Sequence, residues 1–147
     1  MTNIEIDIRG LDRAIEKLKK FPGALQSVWK DRMEMSLLEL WSAVRPYPPK
    51  PPTSKYKRTG TLGRSIGSGM AGGKADKPTV YSIKGSGTDM QGHFGTNLSY
   101  AKYVIDPERQ AYMHQGRWWT MESIKKDAMP KIKKHWYDMV KMVLKKL

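Results

Sequence analysis

Three histidines, a glycine-rich run and a few serines are the residues whose types could do chemistry in this chain. His93, His114 and His135 stand far from one another. No two share the four-residue spacing that puts metal ligands on one helix face, and no carboxylate beside them completes a metalloprotease pattern. His114 opens a polar run, Gln115-Gly116-Arg117, but surface or structural roles are expected for all three. The run from Gly67 to Lys74 looks superficially like a phosphate loop. Its Gly73-Lys74 is followed by Ala75, not by Ser or Thr, and no long apolar strand precedes it. Ser65 and Ser68 are not set in a nucleophile elbow. Between residues 46 and 119 the only acids are Asp76, Asp89, Asp106 and Glu108, so paired-carboxylate chemistry has little to work with. There is no cysteine. Disulfides, cysteine nucleophiles and thiolate zinc sites are therefore excluded. No catalytic residue, metal site or cofactor is expected.

Positive charge is the stronger signal. The net charge is +13, and it is uneven. Residues 1–45 carry 8 basic and 7 acidic side chains, residues 46–119 carry 11 and 4, and residues 120–147 carry 8 and 3. Such an excess attracts polyanions or acidic protein surfaces without choosing between them. Lys125, Lys126, Lys131, Lys133, Lys134, Lys141, Lys145 and Lys146 line the polar side of the last helix, as on an ordinary solvated face. Lys55, Lys57, Arg58 and Arg64 crowd a turn-rich loop beside Tyr56. They are the candidate contacts to phosphate or to an acidic surface. No helix-turn-helix, zinc-finger or aromatic RNA-binding signature is present. The longest apolar stretches fall far short of the roughly 20 residues that span a bilayer. Met1 to Arg9 carries Glu5 and Asp7 and no apolar export core.

The elements that must position these residues follow from periodicity. With 147 residues the chain suits one domain, 1–147. Ile4, Ile6 and Ile8 alternate with charged residues, as on a strand with one dry face. Asp12 can cap a short helix from about Arg13 to Lys20. Phe21-Pro22-Gly23 breaks the chain, and a long helix is predicted from about Ala24 to Val44. Its stripe is Leu25, Val28, Trp29, Met33, Leu37, Leu40, Trp41 and Val44. Pro46 stops it. Residues 46–57 then read as an extended, semi-rigid arm, because proline fixes φ and removes the amide donor. Tyr47, Pro48, Pro49, Pro51, Pro52 and Tyr56 are its candidate contacts to another subunit. Leu62 to Ile66 is expected to lead into a strand, and 67–78 to form a flexible loop. Thr79 to Lys84 and His93 to Asn97 suit further strands. A second long helix is predicted from about Thr120 to Leu147, kinked or restarted at Pro130. Two amphipathic helices on one face of an antiparallel sheet give an α+β layer architecture.

Five tryptophans are many for this length. Trp29, Trp41 and Trp136 fall on the helical stripes and are expected in the core. Trp118 and Trp119 are consecutive, so their rings point differently, and an exposed Trp suits a protein interface.

The order of parts resembles the tail-completion (head–tail joining, neck) proteins of tailed bacteriophages. That family typically carries a Thr-Gly-x-Leu-x-x-Ser segment, here Thr59-Gly60-Thr61-Leu62-Gly63-Arg64-Ser65, preceded by Arg58. Its second segment is here Tyr100-Ala101-Lys102-Tyr103-Val104. Many members continue that segment with an acidic residue and Gly-Thr, where this chain has Ile105-Asp106-Pro107. The resemblance implies a small α+β subunit without an active site. It would assemble into a ring, usually sixfold, between the tail tube and the head connector or stopper protein. Genomic DNA would pass through the lumen without being read, and no membrane would be involved. Ring closure needs two different patches that match head to tail. The 46–57 arm and the 67–78 loop are expected to contribute to them.

Two other classes compete. A basic nucleic-acid-binding module would bind DNA as an isolated domain, in a salt-sensitive way. A small nuclease or toxin would need acids, bases or metal ligands clustered together, and the sequence offers no such cluster.

Overall fold

A computed structural model describes residues 2–7, 22–67 and 77–145. The short helix expected from Arg13 to Lys20, and residues 68–76 of the expected loop, lie outside the described residues.

Strand β1 spans Thr2–Asp7, as its alternating isoleucines require. Strands β2 (Val80–Lys84) and β3 (Gln91–Thr96) complete an antiparallel sheet of order β1-β3-β2. The register places Ile4 and Tyr81 on either side of Phe94, and Ile83 beside Gly92. With a side-chain period of two, Ile4, Tyr81, Ile83, Gly92, Phe94 and Thr96 share one face. The opposite face carries Glu5, Ser82, His93 and Gln91, and the helices take the first.

Helix α1 spans Pro22–Ser42. It starts two residues earlier than the break at Pro22 suggested, because proline is at home in the first helical position, where its missing N–H has no partner to lose. Trp29, Met33, Leu37 and Leu40 are all buried. Gly92 is what lets α1 approach the sheet: a β-carbon there would sit 2.7 Å from Met33 Sδ and 3.2 Å from Leu37 Cδ2.

Helix α4 spans Met121–Lys145. Its buried residues Met121, Ile124, Ala128, Ile132, Trp136 and Met139 recur at three- and four-residue intervals. The helix does not restart at Pro130. Pro130 and Lys126, whose carbonyl it leaves without a helical donor, are both exposed, so the lost bond falls on the outer side of the helix. Arg45 pairs with Asp127, Glu39 with His135 Nε2 at 2.9 Å, and Ser36 with Trp136 Nε1 at 3.0 Å. Partner numbers that rise on one helix as they fall on the other make α1 and α4 antiparallel neighbours. The architecture is α+β, with both long helices on one face of the sheet.

The segment at Leu62 forms a helix, not a strand. Helix α2 spans Thr61–Ser65. Gly60 precedes it with φ 74°, a left-handed turn that a β-carbon would oppose. Leu62, Ser65 and Ile66 are buried together, a spacing that fits a helix and not a two-residue period. The Ser65 hydroxyl bonds the Thr96 hydroxyl, tying α2 to β3. Helix α3 is a single turn, Lys102–Ile105. Residues 110–119 contain a 3-10 turn at Tyr112–His114, a further turn through Gly116 at φ 72° and a bend at Trp118.

A candidate docking groove

The proline arm does not project from the molecule. It folds back onto its own chain. The Pro46 carbonyl accepts from Trp119 Nε1 at 3.2 Å, and the Pro48 carbonyl accepts from the Arg58 guanidinium at 2.5 Å. The Tyr47 hydroxyl accepts from the Gly63 N–H at 2.6 Å. These bonds hold the arm, with its own turn at Pro52–Thr53, against α2 and the 110–119 segment.

The 110–119 segment is held in turn. Ala111 N–H donates to the Tyr103 carbonyl at 2.8 Å, and Gln110 Nε2 reaches the carbonyls of Val104 and Trp118 at 2.7 and 3.3 Å. Backbone turns thus bring Trp118 beside Tyr47, with ring centroids 5.2 Å apart. The Arg58 guanidinium lies 5.5 Å from the centroid of each ring. Partly exposed contacts of this kind contribute on the order of 1 kcal/mol each.

Around this cluster opens a groove of about 460 Å³. One wall comes from the arm, with Tyr47, Lys50, Pro51, Ser54 and Tyr56. The floor is Arg58, Thr59, Gly60, Thr61 and Leu62. The far wall is Tyr100, Tyr103 and Val104, closed by Met113, His114, Arg117 and Trp118. No carboxylate lines it among the described residues. Tyr56 is 71 % exposed and Tyr103 52 %, with Tyr112 just outside at 91 %. So many exposed aromatic rings on one side mark a surface suited to binding.

Electrostatics follow the burial. Burial lowers the His114 pKa from 6.5, and the nearby Arg117 charge lowers it further. Its Nδ1 is enclosed and has no hydrogen-bond partner among the described residues. Burial likewise raises the Tyr100 pKa; Tyr47 and Tyr56 add to the rise and Arg64 opposes it.

The residues singled out by sequence now fall into three sets. Arg58, Thr59, Gly60, Leu62, Tyr100, Tyr103 and Val104 from the two motifs meet in the groove, together with Tyr47, Pro51, Tyr56 and Trp118. Ser65 and Ala101 do not: both are buried, Ser65 on Thr96 and Ala101 inside the core. Trp119 is corrected from interface to core. It is 7 % exposed and spends its N–H on the arm. Pro48 lends its carbonyl to Arg58, and Pro49 and Pro52 face outward. The four cations grouped as phosphate contacts do not converge. Arg58 packs beside the Tyr47–Trp118 ring pair, and Arg64 folds over the start of α2, onto the Thr59 carbonyl at 3.1 Å. Lys55 and Lys57 are exposed and are not among the residues that line the groove. Lys50, Met113 and Arg117 were missed as lining. The polar run His114-Gln115-Gly116-Arg117 was the signal that pointed to two of the wall residues.

Among the described residues, no three His, Asp or Glu side chains are grouped to hold a metal ion. No described helix is long and apolar enough to cross a membrane. No family model matches the chain, and neither a curated protein nor a solved structure matches it.

Proposed function

We propose that this chain is a structural, non-enzymatic subunit of the neck of a tailed bacteriophage. Its copies form a ring, sixfold by the resemblance, that completes the tail and joins it to the head connector. Its partners are further copies of itself, the tail tube protein and the connector or stopper. DNA passes through the lumen without base reading, and the chain resides in the virion at the tail–head joint. One observation carries this reading. The two short motifs behind the resemblance lie some forty residues apart in the chain, yet both line one groove with the proline arm. A shared surface of exposed aromatic rings, with no grouping of acids and histidines in it, suits docking better than catalysis.

Electron cryo-microscopy of particles, or of the purified chain incubated with tail tubes, tests this. Density for a ring of this chain at the head-proximal end of the tail is the expected result. Its absence from the neck would remove the reading.

A second reading has an observation of its own. Lys126, Lys131, Lys133, Lys134, Lys141 and Lys145 of α4 are all exposed, a face that suits phosphates. Salt-sensitive binding of free DNA by the isolated chain, without ring formation, would favour a nucleic-acid module.

A further inference from the structure

The groove is cationic and aromatic, and the same chain carries a turn of the opposite character. Residues 107–109 form an exposed turn directly after α3. It is preorganised: Asp106 Oδ1 accepts from the Glu108 N–H at 2.9 Å, and the Asp106 carbonyl accepts from the Arg109 N–H at 3.3 Å. The turn presents a proline with a carboxylate on each side. Glu5 and Glu122 line a cleft together with Asp106 and Glu108, so four carboxylates gather there against the ammonium of Lys125 and the exposed guanidinium of Arg109 at the end of the turn, a net negative surface. None of the four is ion-paired among the described residues, in a chain whose net charge is +13.

We infer that the groove receives the Asp106–Arg109 turn of a second copy of this chain. Proline rings stack on aromatic walls, and Tyr56, Tyr103 and Trp118 supply such walls. Carboxylates seek cations that are not already neutralised, and Lys50 and Arg117 rim the groove with no acid among its described lining. The groove and the turn share no residue, so one copy can offer both at once. Head-to-tail association needs two such separate patches, and a reciprocal two-fold dimer could use them as well. The inference deepens the ring reading and rests on it for the closed form of the assembly. The turn-in-groove contact itself is tested separately.

The absence of cysteine makes disulfide trapping clean. Tyr56→Cys and Glu108→Cys chains are prepared singly, mixed at high concentration and oxidised. The contact predicts a mixed dimer that exceeds either homodimer by roughly tenfold. It also predicts that the yield falls by a similar factor when Arg117→Glu is added to the Tyr56→Cys chain. Raising salt from about 0.05 to 0.5 M should lower the yield too. Mixed dimer no more abundant than the homodimers, or a yield unmoved by Arg117→Glu, would overturn the inference while leaving a ring at the neck possible. The chain carrying both cysteines separates the two ideas. A ladder of products ending in a closed ring supports both. A product that stops at two copies keeps the contact and removes the ring. If single-stranded oligonucleotide blocks the groove and no mixed dimer forms, the occupant is nucleic acid and the inference fails.

Discussion

Gly63 donates its backbone N–H to the Tyr47 hydroxyl at 2.6 Å, joining the proline arm to the helix that follows it sixteen residues later. The bond converts a proline-rich connector into one wall of the groove.

Tyr47→Phe should therefore cost about 0.5–1.5 kcal/mol of stability, the usual net worth of one hydrogen bond. Tyr47→Ala should cost more, because it also strips the ring from Trp118 and Arg58. Denaturant unfolding of the three chains checks the order. Equal stability of all three would mean that the arm is not docked in solution.

Ser36 is fully buried between the long helices, where its hydroxyl donates to the Arg32 carbonyl at 2.8 Å and accepts from Trp136 Nε1 at 3.0 Å. Ser36→Ala removes the acceptor and leaves a buried indole N–H, a change worth roughly 1–3 kcal/mol. Trp136→Phe in the same chain removes the orphaned donor. A double-mutant cycle should then show a coupling of the two sites well away from zero.

Gly92→Ala puts a methyl group against Met33 and Leu37 at the point where α1 crosses the sheet. Overpacking of this kind costs about 1–3 kcal/mol. The flexible thioether of Met33 should keep the alanine near the low end, and Gly92→Val should be clearly worse. Thermal unfolding of both variants measures the difference. A valine as stable as glycine would place α1 farther from β3.

His114 links the groove to pH. Its native pKa lies below the 6.5 it takes when unfolded, through burial first and Arg117 second. The unfolded chain therefore binds the proton at a higher pH than the native one. Stability contributed here is present above 6.5 and is lost as pH falls through the window below it. His114→Gln should flatten that part of the stability profile. In NMR the ring should titrate below 6.5, and Arg117→Gln should move its midpoint upward. A midpoint at 6.5 would show the ring to be solvated, and one above it would show the charged form to be favoured by an acceptor or anion.

Much of the scaffold was legible without coordinates. The isoleucine alternation at Ile4, the stripe through Met33, Leu37 and Leu40, and the stripe from Met121 to Met139 are local periodicities, and burying one face of an element imposes them whatever the rest of the chain does. They were enough to name the layers and the antiparallel sheet. The segment at Leu62 is ambiguous in sequence because five residues hold less than one and a half helical periods, too few for a helical stripe to show, and Gly60 decides the matter by turning the chain.

The groove was beyond sequence for a related reason. Tyr47, Arg58, Tyr103 and Trp118 obey no common spacing, and nothing local says that they meet. That is decided by hydrogen bonds in which at least one partner is a backbone group: the Gly63 N–H to the Tyr47 hydroxyl, the Trp119 indole N–H to the Pro46 carbonyl, and the Ala111 N–H to the Tyr103 carbonyl. The same bonds explain why Trp118 lines the groove while its neighbour Trp119 is lost to the core. Sequence by itself determined which residues were sticky, charged or rigid, since those are properties of side chains. Only the tertiary structure decided which of them share a surface, because that depends on which buried backbone groups find each other once the helices have closed over the sheet.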